Sequence, residues 1–253
     1  MRTPQPHTPP TKPVLRLLQH WLLGWWQLLL FGAQLMTLAF SPSSWRPEQR
    51  RLMLREVYTA TTPLLLAFSI GTAVVAQIII RIVLATALSY GLSQYALDVL
   101  VRTLVLELIP LSAALYVAVR YTLPGAEQVR TLRAQGLDAL RDTELPRALA
   151  GMFAALTLTL LSAMIALALT YFSVYGLTTW GLPGFVRGVG HVFGPVIVLI
   201  FALKTLFLSL AVAIIPMLPG ARESAAGADL SRLARLLAVV LLIELLSLVG
   251  NYY

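Results

Sequence analysis

ALAGMFAALTLTLLSAMIALALTYFSVY, the stretch from Ala148 to Tyr175, holds no charged side chain, and the charge-free run around it extends from Arg147 to Arg187. A helix of that length, at about 1.5 Å of rise per residue, is longer than the ~30 Å hydrocarbon core of a bilayer. The run is apolar on every side, which reads as a membrane span rather than as one face of a soluble core. Ser162, Ala166 and Thr170 recur within it at four-residue spacing. Small residues so placed let neighbouring helices approach closely inside lipid.

The rest of the chain agrees with that stretch. Apolar residues make up 58% of the 253 residues and charged residues 12%, with a mean hydropathy of +0.80. A soluble domain carries roughly a quarter charged residues, and its interior grows too slowly with length to hide this much apolar surface. There is no cysteine, so disulfides, thiolate metal sites and cysteine nucleophiles are excluded. His7, His20 and His191 are scattered without metal-ligand spacing. The net charge of +8 reflects arginines gathered in loops beside anionic headgroups, not a nucleic-acid surface.

The sequence predicts an all-α integral membrane protein with an N-terminal interfacial helix and about five transmembrane helices. Residues 1–13, rich in proline, read as a disordered tail. Residues 14–40 are apolar but broken by Arg16, Gln19, His20, Gln27 and Gln34, and carry Trp21, Trp25 and Trp26. Indole rings prefer the headgroup level, so this segment suits the membrane interface, with a full span as the rival reading. An elbow over residues 41–55 completes a 14–55 unit, and residues 56–253 form the membrane domain. Its spans are expected at about 63–84, 96–121, 148–175, 194–218 and 233–253. Gly184 and Gly188 fall in a loop with Pro183, where turn chemistry is expected.

Counting basic residues orients the chain. With the N-terminus in the cytoplasm, fifteen Lys and Arg lie inside, three lie outside (Arg81, Arg102, Arg187) and Lys204 lies within the membrane. That distribution obeys the positive-inside rule and leaves the C-terminus outside.

Three ionisable residues fall deep inside spans: Glu107, Lys204 and Glu244. Each is about nine to eleven residues from the outer end of its span, hence near the same depth. An unpaired charge there costs at least about 2.5–3.5 kcal/mol, which disfavours exposure to lipid. A pair or triad is expected, or a carboxyl that keeps its proton. Either a clamp that only fixes helix packing or a polar feature lining a substrate cavity fits the spacing.

Between Pro124 and Pro146 the chain turns polar with helical periodicity. Val129 and Leu132, then Leu137 and Leu140, repeat at three-residue spacing, and Gly136 marks the end of the first helical piece. A short amphipathic helix there offers a grip to a motor protein, and an ordinary solvated loop helix fits the periodicity equally well.

These residues also carry a resemblance. EQVRTLRAQGLDALR, from Glu127 to Arg141 and closing at Pro146-Arg147, resembles the signature of the MlaE (YrbE) permease family. Arg55-Glu56-Val57-Tyr58 looks like the family's entry into the first span, and Glu107-Leu108-Ile109-Pro110 resembles its ELGP motif. Lys204-Thr205 stands where the family has a KS pair, and Glu244 where an acidic residue occurs in the last span. The likeness covers residues 50–250, with departures. The segment from Arg120 to Glu127 is shorter, the ELGP glycine is Ile109, and the coupling-region proline is Ala139. The arginine that usually precedes the motif's glutamate is Leu106 here, with Arg102 one turn upstream as a partial substitute.

The resemblance implies a permease subunit of an ABC transporter for phospholipid-like molecules. It would dimerise with a like or unlike permease, bind a cytoplasmic ABC ATPase, and carry a periplasmic MCE-domain protein. The helix at about 125–145 would be the coupling helix. Glu127, Gln128, Arg130, Leu132, Arg133, Gln135, Gly136, Leu137, Asp138 and Leu140 would then contact the ATPase. Glu107, Lys204, Glu244 and Arg102 would supply the polar part of the substrate cavity. No cofactor is expected in this chain, because no G-x-x-x-x-G-K-[ST] loop is present and ATP with Mg²⁺ would bind the partner. An intramembrane enzyme lacks any supporting motif, and a non-transporting scaffold or assembly subunit is the alternative.

Overall fold

A computed structural model describes residues 13–42, 46–134, 140–218 and 225–252, and every described element is helical. The helices are α1 (Pro13–Phe40), α2 (Pro47–Ser89), α3 (Ser93–Leu100), α4 (Ile109–Val117), α5 (Leu123–Ala134), α6 (Leu145–Tyr175), α7 (Leu182–Val192), α8 (Pro195–Ile214) and α9 (Ala225–Tyr252). Five of the helical rods are long and apolar enough to cross a membrane. Over its described side chains α1 contributes only a shorter apolar stretch, Trp25–Phe40.

Proline shapes the second rod, which runs from Ser93 to Arg133. Among the described residues three π-helical stretches occur: Val101–Leu108, Ala118–Thr122 and Leu140–Glu144. Each ends two residues before a proline (Pro110, Pro124, Pro146). Proline cannot donate to the carbonyl four residues back, and its ring crowds that carbonyl, so the turn upstream widens by one residue. The rod therefore passes from span into polar helix without a break. The expected second span and the polar helix after it are one continuous element.

Two other expectations change. The elbow predicted over residues 41–55 narrows to 41–46, because Pro47–Arg55 already form the first turns of α2. Pro47 at the first helical turn costs no hydrogen bond there. Gly184 and Gly188 lie in α7, not in a turn. A Cβ on Gly188 would come within 2.7 Å of Leu97 Cδ2, so the glycine permits α7 to lie against α3.

α6 is the central helix. It packs along α2 and also touches α4 and α8. Ser162, Ala166 and Thr170 are all buried, as are Gly151, Ala155 and Thr159 on the preceding turns. A Cβ on Gly151 would approach Thr122 Cγ2 to 2.8 Å, so small size there sets the distance to the second rod.

The interior divides into two apolar clusters. One, with Phe31, Met53, Phe68, Leu158 and Leu236, lies toward the arginine-rich end. The other, with Ile80, Leu100, Leu104, Ile109 and Val192, lies toward the opposite end. Tyr171, Tyr175, Trp180 and Phe185 form an aromatic collar at that opposite end, with ring centroids 5.2 to 6.5 Å apart. Apolar side chains also cover much of the outside: Ile70, Val74, Ile78 and Ile82 on α2, and Leu241, Leu242, Leu245 and Leu246 on α9, are exposed. Such a surface is unstable in water and comfortable in hydrocarbon.

Candidate functional site

Lys204, on α8, is 3% exposed and lies between the two apolar clusters. Its ammonium meets Glu107 from the second rod and, at 2.6 Å, Glu244 Oε2 from α9. The third partner is main chain: Nζ donates to the carbonyl of Leu106 at 3.1 Å. Pro110 is the reason that carbonyl is receptive. It stands four residues after Leu106 and has no N–H to offer it. All three hydrogens of the ammonium thus find an oxygen, which is what a cation this deep requires.

Asn251, near the end of α9, completes the cluster by donating to Glu107 Oε1 at 2.8 Å. Three elements distant in sequence therefore converge on one lysine. Glu107, Lys204 and Glu244 come together, as their matching depths required. Arg102 does not join them: it pairs with Asp98 one turn before it, at 3.1 Å. Asn251 was not singled out from sequence, and an uncharged amide near a chain end carries no signal that would find it. Two acceptors, Glu244 Oε1 and Asn251 Oδ1, are buried without a hydrogen-bond partner among the described residues. The cluster holds one cation against two carboxylates and keeps acceptors to spare, so it suits a ligand group that donates.

The arginine-rich end is organised by two arginines that reach in opposite directions. Arg133 of α5 forms a two-pronged ion pair with Glu144, both contacts at 2.6 Å, and Glu144 is fully buried. The Arg133 guanidinium also lies 5.6 Å from the ring centre of Phe31 on α1. Arg147 of α6 reaches back to the start of α5: Nη1 donates to the Gly125 carbonyl at 2.7 Å and Nη2 to Gln128 Oε1. Its Nε bonds Glu56 of α2 at 3.2 Å, and Tyr121 Oη donates to the same carboxylate at 2.9 Å. The start of α5 is thereby tied to α6 and α2 through Arg147, while Arg133 near its other end holds Glu144 just ahead of α6.

Of the expected coupling residues, Glu127 pairs with Arg130 at 3.6 Å, while Leu132 and Leu140 are half-buried. Glu127 and Gln128 stand exposed on the outer face of α5, and Val129 turns inward. Gln135, Gly136, Leu137 and Asp138 lie outside the described residues. Glu56, Tyr121, Glu144 and Arg147 were not among the expected coupling residues. The signal for Glu56 and Arg147 was present in the motifs that contain them; nothing in the sequence paired Arg133 with Glu144.

The family model described as Permease MlaE matches residues 53–250 of the chain. No curated protein matches it.

Proposed function

The chain belongs to the MlaE permease family, which makes it a multi-pass membrane subunit of an ABC transporter, and on that premise we propose that it carries phospholipid between the inner membrane and the periplasm or outer membrane. Two permease protomers, identical or unlike, would enclose a central path. ATP would be hydrolysed by a separate cytoplasmic ATPase docked on the coupling helix, and an MCE-domain protein would extend the path outside. The N-terminus would be cytoplasmic and the C-terminus periplasmic, as the basic residues require.

The observation that carries this reading is the Lys204–Glu107–Glu244 cluster, the one charged centre found between the two apolar clusters of the described core. Charges at bilayer depth mark transport paths more often than packing clamps. Acyl chains would lie against apolar walls while the spare acceptors on Glu244 and Asn251 meet a donor on the headgroup. Motion would enter at the other site. A push on α5 moves α6 through Arg147 and α2 through Glu56, because those contacts make one rigid body of the three helix ends. Alternating exposure of the path would follow from that rigid-body motion.

The test is transport of labelled phospholipid between donor and acceptor vesicles by the purified complex, comparing wild type with Lys204→Ala and Glu107→Ala. Loss of transport with the complex intact supports the reading; full transport by both variants ends it. A Gly136→Arg variant should lose the nucleotide-binding subunit in a pull-down. Recovery of no such subunit by the wild-type chain would favour the scaffold alternative.

A further inference from the structure

At the arginine-rich end, Arg46 just ahead of α2 and Arg50, Arg51 and Arg55 on its first turns stand exposed, and none of them takes part in an ion pair among the described residues. Arg50 differs from the other three in what lies beside it. Met53, Leu54 and Val57 follow it along one face of α2, and Leu149, Met152 and Phe153 of α6 face them across a groove of about 340 Å³. Arg50 is the one polar residue on the groove's wall, and the most N-terminal of the α2 residues that line it. The seven-residue step from Arg50 to Val57 rises by roughly 10 Å along the helix, from the charged turns of α2 into its apolar length.

We propose that this groove binds an anionic phospholipid of the adjoining leaflet, with the phosphodiester held by Arg50 and one acyl chain laid between α2 and α6. The chemistry is complementary at both ends. An unpaired guanidinium at headgroup level attracts phosphate, and the wall beyond it offers nothing but hydrocarbon contacts. A second copy of the chain is a poorer occupant. Two protomers in one membrane share an orientation, so closing this face on its twin brings two sets of unpaired arginines together. The site is separate from the Lys204 cluster. It rests on the proposed membrane orientation and not on the transport reading, so each can fail without the other.

The experiment is native mass spectrometry of the full-length chain in detergent, titrated with phosphatidylglycerol or phosphatidylcholine of matched acyl chains. Wild type should bind phosphatidylglycerol about fivefold more tightly than phosphatidylcholine, the preference one arginine near a membrane surface provides. Arg50→Gln should abolish the preference, while Arg55→Gln, off the groove's face, should keep it. Leu149→Trp, which fills the groove, should weaken both lipids. Equal binding of the two lipids by wild type overturns the proposal. So does an Arg50→Gln chain that retains the preference, or an Arg55→Gln chain that loses as much, which would mean diffuse charge and no site. The chain has no cysteine, so Phe153→Cys gives a clean probe in native membranes. A disulfide between copies through that position would make the groove a protomer interface and also overturn the proposal.

Discussion

Lys204 donates to the main-chain carbonyl of Leu106 at 3.1 Å, although 98 residues separate them in the chain. A proline four residues beyond Leu106 makes the arrangement possible, because the helix itself supplies no donor from that position. The lysine holds a helix carbonyl and two carboxylates at once, and three of the five spans meet on its ammonium.

The cluster predicts an unequal set of mutational costs. Lys204→Met removes the cation and leaves Glu107 and Glu244 facing each other in a dry site, which costs about 3–5 kcal/mol by analogy with other broken buried pairs. Lys204→Met with Glu107→Gln and Glu244→Gln removes the charge altogether and should recover much of that loss. Thermal unfolding in detergent measures both. A triple variant no more stable than the single one would show that the charges do not interact.

Pro110→Ala restores an N–H that can bond Leu106 within the helix. The expected result is a folded chain in which Lys204 has a competitor for its carbonyl and the π-helical turn before Pro110 tightens. Phospholipid transport should fall while assembly persists. Unchanged transport rates would mean that the widened turn has no part in the path.

Arg147→Ala removes the polar links from the start of α5 to α6 and α2 together and leaves the Arg133–Glu144 pair in place. ATPase binding should survive, since Glu127 makes no contact with Arg147 and Gln128 stays exposed after losing its bond to it, but coupling of hydrolysis to transport should fall. Glu56→Ala should have a smaller effect, and the double variant should be no worse than Arg147→Ala alone. Additive losses in ATP hydrolysed per lipid moved would argue that Arg147 and Glu56 act separately.

Two glycines in long helices should respond in opposite directions. Gly71→Ala meets nothing within 4 Å and should stabilise α2 by about 0.5–1 kcal/mol through the lower entropy of the unfolded chain. Gly151→Ala places a methyl 2.8 Å from Thr122 Cγ2, on a stiff β-branched side chain, and should destabilise by about 1–3 kcal/mol. Melting temperatures of the two variants in one detergent decide the matter.

The membrane bundle was legible from the residues themselves. Long charge-free runs such as Ala148–Tyr175 leave a chain few choices, since in hydrocarbon each backbone N–H and C=O must find its partner within its own helix. Depth was equally readable. A fixed rise per residue placed Glu107, Lys204 and Glu244 at one level before any contact was known, and the pattern around Glu127–Arg141 already resembled a permease. Helix boundaries were less legible at the elbow and at Gly184–Gly188. There, local turn signals from proline and glycine yielded to helix packing: Pro47 sits harmlessly in a first turn, and Gly188 is small because Leu97 is close.

What the sequence alone determined was the solvent of each segment and the depth of each charge, because hydrophobicity and helical rise are properties of consecutive residues. Which side chains meet was decided only by the tertiary structure. Arg133 could have sought several acids, and its pairing with Glu144 depends on where the end of α5 lies relative to the start of α6. Arg102 chose its own helical neighbour Asp98 over the central cluster, and Asn251 joined Glu107 across the bundle. Rotation of a helix about its axis costs little in the helix itself, so it is the packing of small residues along α6 that sets those angles and with them the polar partners.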